Sequence, residues 1–369
     1  MKTLAFGLAA FALLLCSSAQ ATLRYVSQTG AGTYTLPSAA HAAAVNGDTI
    51  LVGPGAYNEP VSVVITKRLT WIGAGWDQST VNGLGNSGAF QFSATTATGS
   101  SVEGIRLNGS GAGQSGLYNA TANCDSITIR RCLVTGGVNA NAVNWTATGL
   151  GRLYMEDCIV LHNYQFVNGI EGPRAGGMLR NCIVASMVTP SPGSAWAIGS
   201  GTAATGPLEV YNTVFLNWNV IFNTSTGSPA SILINNAAFD FVGTPSWGTI
   251  PGASLVDYNA GPAGVTAIGT NYITIPSNPF VTYDTALNYV IGTTNLNLIG
   301  GSNLIDAGNP GILDVNGSRS DVGVYGGPRP LIDNGVPNYP WAVNIVNVPN
   351  VVGQGTPVNA TAIGRVGPQ

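Results

Sequence analysis

Carboxylates, amides and aromatic rings, rather than histidines or thiols, carry what chemistry this sequence offers. Asp, Glu, Lys and Arg make up 8% of the 369 residues, against about 25% in an average chain. Two of them stand together in an otherwise uncharged stretch, Glu171 and Arg174, and these are the candidate catalytic pair. Glycoside hydrolysis generally takes two carboxylates across the scissile bond, and the segment around Glu171 supplies one. Tyr118, Asn144, Trp145, Glu171, Trp196 and Asn223 form a second set. Rings stack on sugar faces while amides and carboxylates bond hydroxyls, so their chemistry suits a carbohydrate. A third set, Asp306, Asp314, Asn316 and Asp321, lies where Asp and Asn are densest. Calcium takes oxygen ligands of this kind, although the spacing is not that of a twelve-residue helix-loop-helix site. The other reading is a Gly-rich turn whose carboxylates cap backbone amides. His41 and His162 lack a recognisable partner pattern, so neither a Ser/His/Asp nor a Cys/His arrangement is expected.

These residues must be positioned by a repeat. Five segments align: Ile127 to Val134, Leu153 to Val160, Gly177 to Val184, Leu208 to Phe215 and Ile232 to Phe239, with a looser copy at Val102 to Leu107. Taking the small or apolar residue after the polar pair as marker gives positions 105, 132, 158, 182, 213 and 237, in steps of 27, 26, 24, 31 and 24. Within a copy, apolar residues alternate, two polar residues follow, and a second apolar run begins. Alternation with period two describes a strand with one buried face. The polar pair reads as a sharp bend, its second place suited to a left-handed backbone. Strand, bend and strand at one coil length stack in parallel about 4.8 Å apart, and stacking supplies the core that a single coil lacks.

Cys132, Cys158 and Cys182 should then lie above one another as buried free thiols, with a disulfide to Cys124 as the alternative. Two places before each marker stand Glu103, Arg130, Glu156 and Arg180, alternating in sign, followed by Tyr211 and Asn235. The charged four are expected to project outward as a ladder that fixes register.

Residues 1-21 read as an export signal. Met1-Lys2 is followed by an apolar run from Leu4 to Leu15 and by Ala19-Gln20-Ala21, a small-residue cleavage site, so the mature chain is expected to start near Thr22. The product is expected to be secreted. That run is too short for a confident span of about 20 residues, and no later stretch could cross a bilayer. A net charge of -3 gives no field for nucleic acid and no polybasic membrane patch.

Gly47-Asp-Thr-Ile-Leu-Val-Gly-Pro-Gly-Ala-Tyr57 and Leu69-Thr-Trp-Ile-Gly-Ala-Gly75, behind a short capping helix over Leu36 to Val45, resemble the opening coils of the pectin-lyase-like superfamily. The run from Ser302 to Pro328 is similar to the closing segment of secreted bacterial β-helix repeat proteins. The resemblance implies an all-β, right-handed single-stranded parallel β-helix over residues 22-330. In the tail over 331-369, Ala342-Val-Asn-Ile-Val-Asn-Val348 and Val351-Val352 suggest one or two short strands that lie along the solenoid or pair with another chain. The resemblance also implies a carbohydrate groove on the first long strand of each coil, where Tyr118, Asn144, Glu171 and Asn223 would point outward beside Trp145 and Trp196. A lyase of this superfamily would use Arg or Lys as base with acidic residues holding calcium. Glu171 and Arg174 match parts of that set, but no group of aspartates accompanies them. A fold carries no activity with it. The expected role is therefore binding to polysaccharide or a cell surface without an active site. A lyase or hydrolase of acidic polysaccharide and a structural assembly protein are the alternatives.

Overall fold

The computed structural model describes residues 21–29, 33–85, 87–119, 124–146, 151–191, 193–199, 204–225, 227–347 and 361–367. The segment 1-21, expected to be an export signal, lies outside these residues except for Ala21. From Leu23 to Ile275 the chain winds as a right-handed parallel β-helix of three sheets. The first sheet has ten strands, from Leu23–Val26 to Leu255–Asp257. The second has ten, from Gly55–Glu59 to Ile273–Ile275, and the third eight, from Val63–Ile65 to Ser246–Thr249. Between Thr49–Val52 and Ala260–Pro262 each coil visits the sheets in that order, and every pairing among the strands of these three sheets is parallel.

Period-two alternation explains the first sheet. Ile127 and Ile129 are buried in the solenoid core while Thr128 and Arg130 are not. The bend to the second sheet is left-handed at Arg131, Asp157, Asn181, Asn212 and Asn235, with φ between 46° and 59°. Register stacks Cys132, Cys158 and Cys182, all buried and unpaired, as is Cys124. Their thiols donate to carbonyls of the preceding coil, at 3.4 Å from Cys158 to Ile129. Burial pushes the Cys132 thiol up to about 12.

The last repeat differs from the expected alignment by one residue. Tyr211 faces Ile234, not Asn235, and Val214 faces Ala237, which places Asn236 over Thr213. Asn235 takes the left-handed bend. The inner column thus runs from thiols to Thr213, Asn236 and Asn259, all fully buried. Asn236 accepts from Thr213 N (2.9 Å) and donates from Nδ2 to Val210 O (2.9 Å) and Asn259 Oδ1 (2.9 Å). Buried amides are tolerable here because these bonds run from coil to coil.

The charge ladder is in register: Arg130 pairs with both Glu103 and Glu156, and Glu156 with Arg180. Its ion pairs are Arg130–Glu156 at 3.2 Å and Arg180–Glu156 at 2.5 Å, whereas Glu103 is taken by Arg131 at 3.2 Å. Glu156 is not a free outward side chain. It is buried, and Arg329 approaches it to 3.5 Å.

Arg329 belongs to a return segment. Helix α1 (Pro37–Ala43) covers the first coil, with Ala40 and Ala44 in the core. After Ile275 the chain folds back over the outer face of the second sheet. Phe280, Tyr283, Leu296, Leu304, Val322 and Val324 there cover Leu133, Ile159, Ile183, Val214 and Ala237. Unbroken apolar runs in those strands reflect burial on both faces. Farther on, Trp341–Asn347 pairs antiparallel with Thr361–Arg365, Trp341 packs with Leu51 and Ala74 near the start of the solenoid, and Arg365 binds Asp77 at 2.7 Å. Val351 and Val352 lie outside the described residues.

Candidate functional site

The third sheet forms the candidate site. Register places Leu117, Val143, Ile170 and Ile198 in one buried row. Tyr118, Asn144, Glu171, Gly199 and Asn223 stand in the neighbouring row, which Gln91 and Thr249 extend. Its four predicted members Tyr118, Asn144, Glu171 and Asn223 are half-buried and face away from the core. Two-residue strands such as Val143–Asn144 suffice because hydrogen bonds from the coils above and below hold them.

Trp145 does not belong to this surface. Alternation that turns Asn144 outward turns the next residue inward. The indole is fully buried, packs at 5.5 Å on Phe92 and donates from Nε1 to Gly151 O at 2.7 Å. Trp196 lies at the start of its strand, half-buried, in register with Val220.

Glu171 is held from two sides. Asn168 Nδ2 donates to its Oε2, and Arg174 Nη2 lies 3.8 Å from its Oε1. Arg174 in turn donates from Nη1 to Thr146 O at 3.2 Å, and Thr146 Oγ1 bonds Asn144 Oδ1 at 3.0 Å. Catalytic candidate and amide row therefore form one connected surface. Glu171 is the sole carboxylate among the described residues of the third-sheet strands. What this surface offers is a line of hydroxyl, amide and carboxylate groups about 4.8 Å apart from Gln91 to Glu171, interrupted at Gly199, with one neutralised charge.

Asp306, Asp314 and Asp321 do converge, each offering an oxygen within 4.8 Å of the others. Asp314 also accepts from Gly327 N (2.5 Å), and Asp321 from Asp306 N (2.8 Å). Burial, then the neighbouring Asp314 and Asp306, push the Asp321 carboxyl above its ordinary range. Asp314 and Asp321 keep lone pairs after capping backbone amides, and the exposed Asp306 lies with them, so the three fit a hard cation. Asn316 instead accepts from Ser318 N (2.9 Å) and Oγ (2.8 Å) within its own turn.

Both histidines have structural partners that their sequence neighbours do not reveal. His162 Nδ1 lies 2.8 Å from Ser186 Oγ, one coil away, and its ring packs on Trp218. Burial lowers it to about 4, and neither His162 nor Ser186 has any exposure, which removes the pair from contact with a substrate. His41 accepts from Thr66 N at 3.2 Å beside Trp71.

Two features carried no sequence signal. Asp157, at the bend, has its carboxyl pushed up to about 7 by burial. A cleft of about 390 Å³ opens between the second sheet and the return segment, lined by Trp76, Tyr289, Tyr325 and Asp333 among others. Both depend on contacts between residues far apart in the chain.

No family model and no curated protein matches the chain. Among solved structures, the pectate lyase Pel9A aligns with a TM-score of 0.48 at 15% identity, over 82% of this chain and 96% of that one. A pectin methylesterase from carrot aligns with a TM-score of 0.44 at 16% identity, over 71% of this chain and 91% of that one. Pectin methylesterase PemA from Erwinia chrysanthemi gives 0.34 at 12% identity, over 75% and 85%. Likeness at this level assigns no activity.

Proposed function

We propose that this chain is an exported β-helix that binds polysaccharide, at a cell surface or free, through the outward row of its third sheet. The observation that supports this reading is the register itself. Gln91, Tyr118, Asn144 and Glu171 line up along the solenoid axis at strand spacing, and Asn223 follows in the same row one rung beyond Gly199. An extended polymer can meet several such groups at once, and weak contacts then add without any single deep pocket. Glu171 acts here as a hydroxyl acceptor steadied by Arg174 and Asn168 rather than as a catalytic base. Calcium at Asp306, Asp314 and Asp321 has a structural role in this proposal, joining two turns of the return segment.

Affinity electrophoresis against a panel of neutral and acidic polysaccharides tests it. At least one polymer should retard the wild-type protein, and the double variant Tyr118→Ala/Asn144→Ala should lose most of that retardation. A control variant in the cleft, Asp333→Asn, should keep it. If no polymer retards the protein, or the double variant binds unchanged, the reading fails. Unsaturated product from polygalacturonate or alginate, abolished by Glu171→Ala, would establish the lyase alternative instead.

A further inference from the structure

The first described strand begins beside a buried carboxylate. Asp48 is fully buried, and its two oxygens are divided among three donors. Oδ2 accepts from Arg24 Nε at 2.7 Å and from Val45 N at 2.9 Å. Oδ1 accepts from the backbone nitrogen of Thr22 at 2.8 Å. Thr22 is also the residue expected to follow the leader's small-residue cleavage site, Ala19-Gln20-Ala21. The nitrogen that a leader peptidase would free is thus the one already aimed at Asp48. Register fixes it there, because Leu23 pairs with Thr49 and Thr49 N donates to Thr22 O at 3.0 Å.

We propose that Asp48 is the receptor for the α-ammonium group released when the leader is cut at the Ala21–Thr22 bond. In the cut, water delivers hydroxyl to the Ala21 carbonyl carbon and hydrogen to the Thr22 nitrogen, which takes a further proton from solvent. One neutral N–H donor becomes a cation with three donors. A charge-assisted bond to a carboxylate is about twice as strong as a neutral one. Thr22 is exposed, so the two remaining protons stay hydrated while Oδ1 keeps its contact. Arg24 does not compete, because it sits on the other oxygen and also donates to Tyr34 Oη at 2.8 Å. Maturation thereby completes the first rung of the solenoid. This inference rests on the leader and not on polysaccharide binding.

The full chain, expressed with its leader and exported, tests the assignment. Intact mass should show a protein that begins at Thr22; a different start overturns the proposal. The second readout is the rate at which the α-amine is acylated at fixed pH, followed by mass spectrometry of the amino-terminal peptide. An unperturbed α-amine titrates at about 7.7–8.0, and the pairing should raise that value by about one unit, making acylation about tenfold slower. Asp48→Asn should restore the ordinary rate, as should a chain that retains Gln20-Ala21. An ordinary rate in the wild type would sink the idea. Should Asp48→Asn fail to fold, amino-terminal acetylation of the wild type removes the charge and leaves Asp48 intact. The acetylated protein should unfold at lower urea at pH 6 and match the free-amine protein above pH 10, where the raised amine has lost its proton. Equal midpoints at pH 6 would again refute the pairing.

Discussion

Asp157→Asn should make the protein more stable at neutral pH, and more so as pH rises. Asp157 Oδ1 is buried without a partner. Arg131 Nε stands 4.0 Å from its Oδ2, the limit of an ion pair, while Arg131 Nη1 is engaged by Glu103 at 3.2 Å and Val336 O at 3.3 Å. Burial therefore outweighs attraction, and the carboxyl rises from 3.8 to about 7. Since the folded value lies above the unfolded one, the folded protein holds the extra proton between those limits, and stability falls as pH climbs through that window. Each unit is worth about 1.4 kcal/mol, so between pH 5 and pH 7 the wild type should lose about 2–3 kcal/mol relative to the variant. The backbone at φ 53° suits Asn, which already occupies the stacked bends as Asn181 and Asn212 at φ 50° and 46°. Urea unfolding is the suitable assay, because urea leaves charges unscreened. Midpoints of both proteins at half-unit pH steps should diverge upward from about pH 4 and run parallel above about pH 8. A gap that stays constant with pH, or narrows as pH rises, would show that Asp157 is charged and satisfied in the fold.

Asn236→Ala should be far more damaging, lowering stability by about 3 kcal/mol or more, because truncation strips Thr213 N and Val210 O of a buried partner at about 1–3 kcal/mol each. Chemical denaturation reads this directly, and a loss below about 1 kcal/mol would mean that water replaces the amide. Calcium at 5 mM should raise the melting temperature relative to chelator, and Asp321→Asn should remove the difference. Equal melting with and without chelator would leave Asp314 and Asp321 as amide caps alone.

The solenoid was legible because its signal repeats: alternation, polar pair and second apolar run recur in five copies, and each copy corroborates the others. Where the signal changed, the alignment slipped. Asn235-Asn236-Ala237 offers two residues able to take the left-handed bend, and Ala237 resembles the small marker of earlier coils. Only pairing decides, and it sets Thr213 over Asn236. Trp145 was open to a parity argument, since it follows an outward Asn144. The covered outer face of the second sheet also had a signal in Ile159-Val-Leu161 and Ile183-Val-Ala185, which are apolar on both parities. By contrast, the Asp157 environment and the His162–Ser186 contact arise from residues brought together by stacking and by the return segment, and no local pattern encodes them.

The bend column explains why so few charges suffice. A left-handed residue at the edge of two sheets turns its side chain toward whatever lies outside, and here that is the return segment. Asn181 Nδ2 donates to Val324 O (2.9 Å) and Gly326 O (2.7 Å), Asn212 Nδ2 to Asp321 O (3.0 Å), and Asn235 Oδ1 accepts from Asn309 N (2.7 Å). One residue type thus satisfies the backbone conformation and fastens the cover at the same positions. Asn is suited to both tasks because its amide can donate and accept. An ionised carboxylate accepts only, so backbone carbonyls cannot serve it. At Asp157 the column therefore has a carboxylate whose Oδ1 is buried without a partner and whose ion pair with Arg131 is 4.0 Å long, and burial accordingly pushes its carboxyl up to about 7.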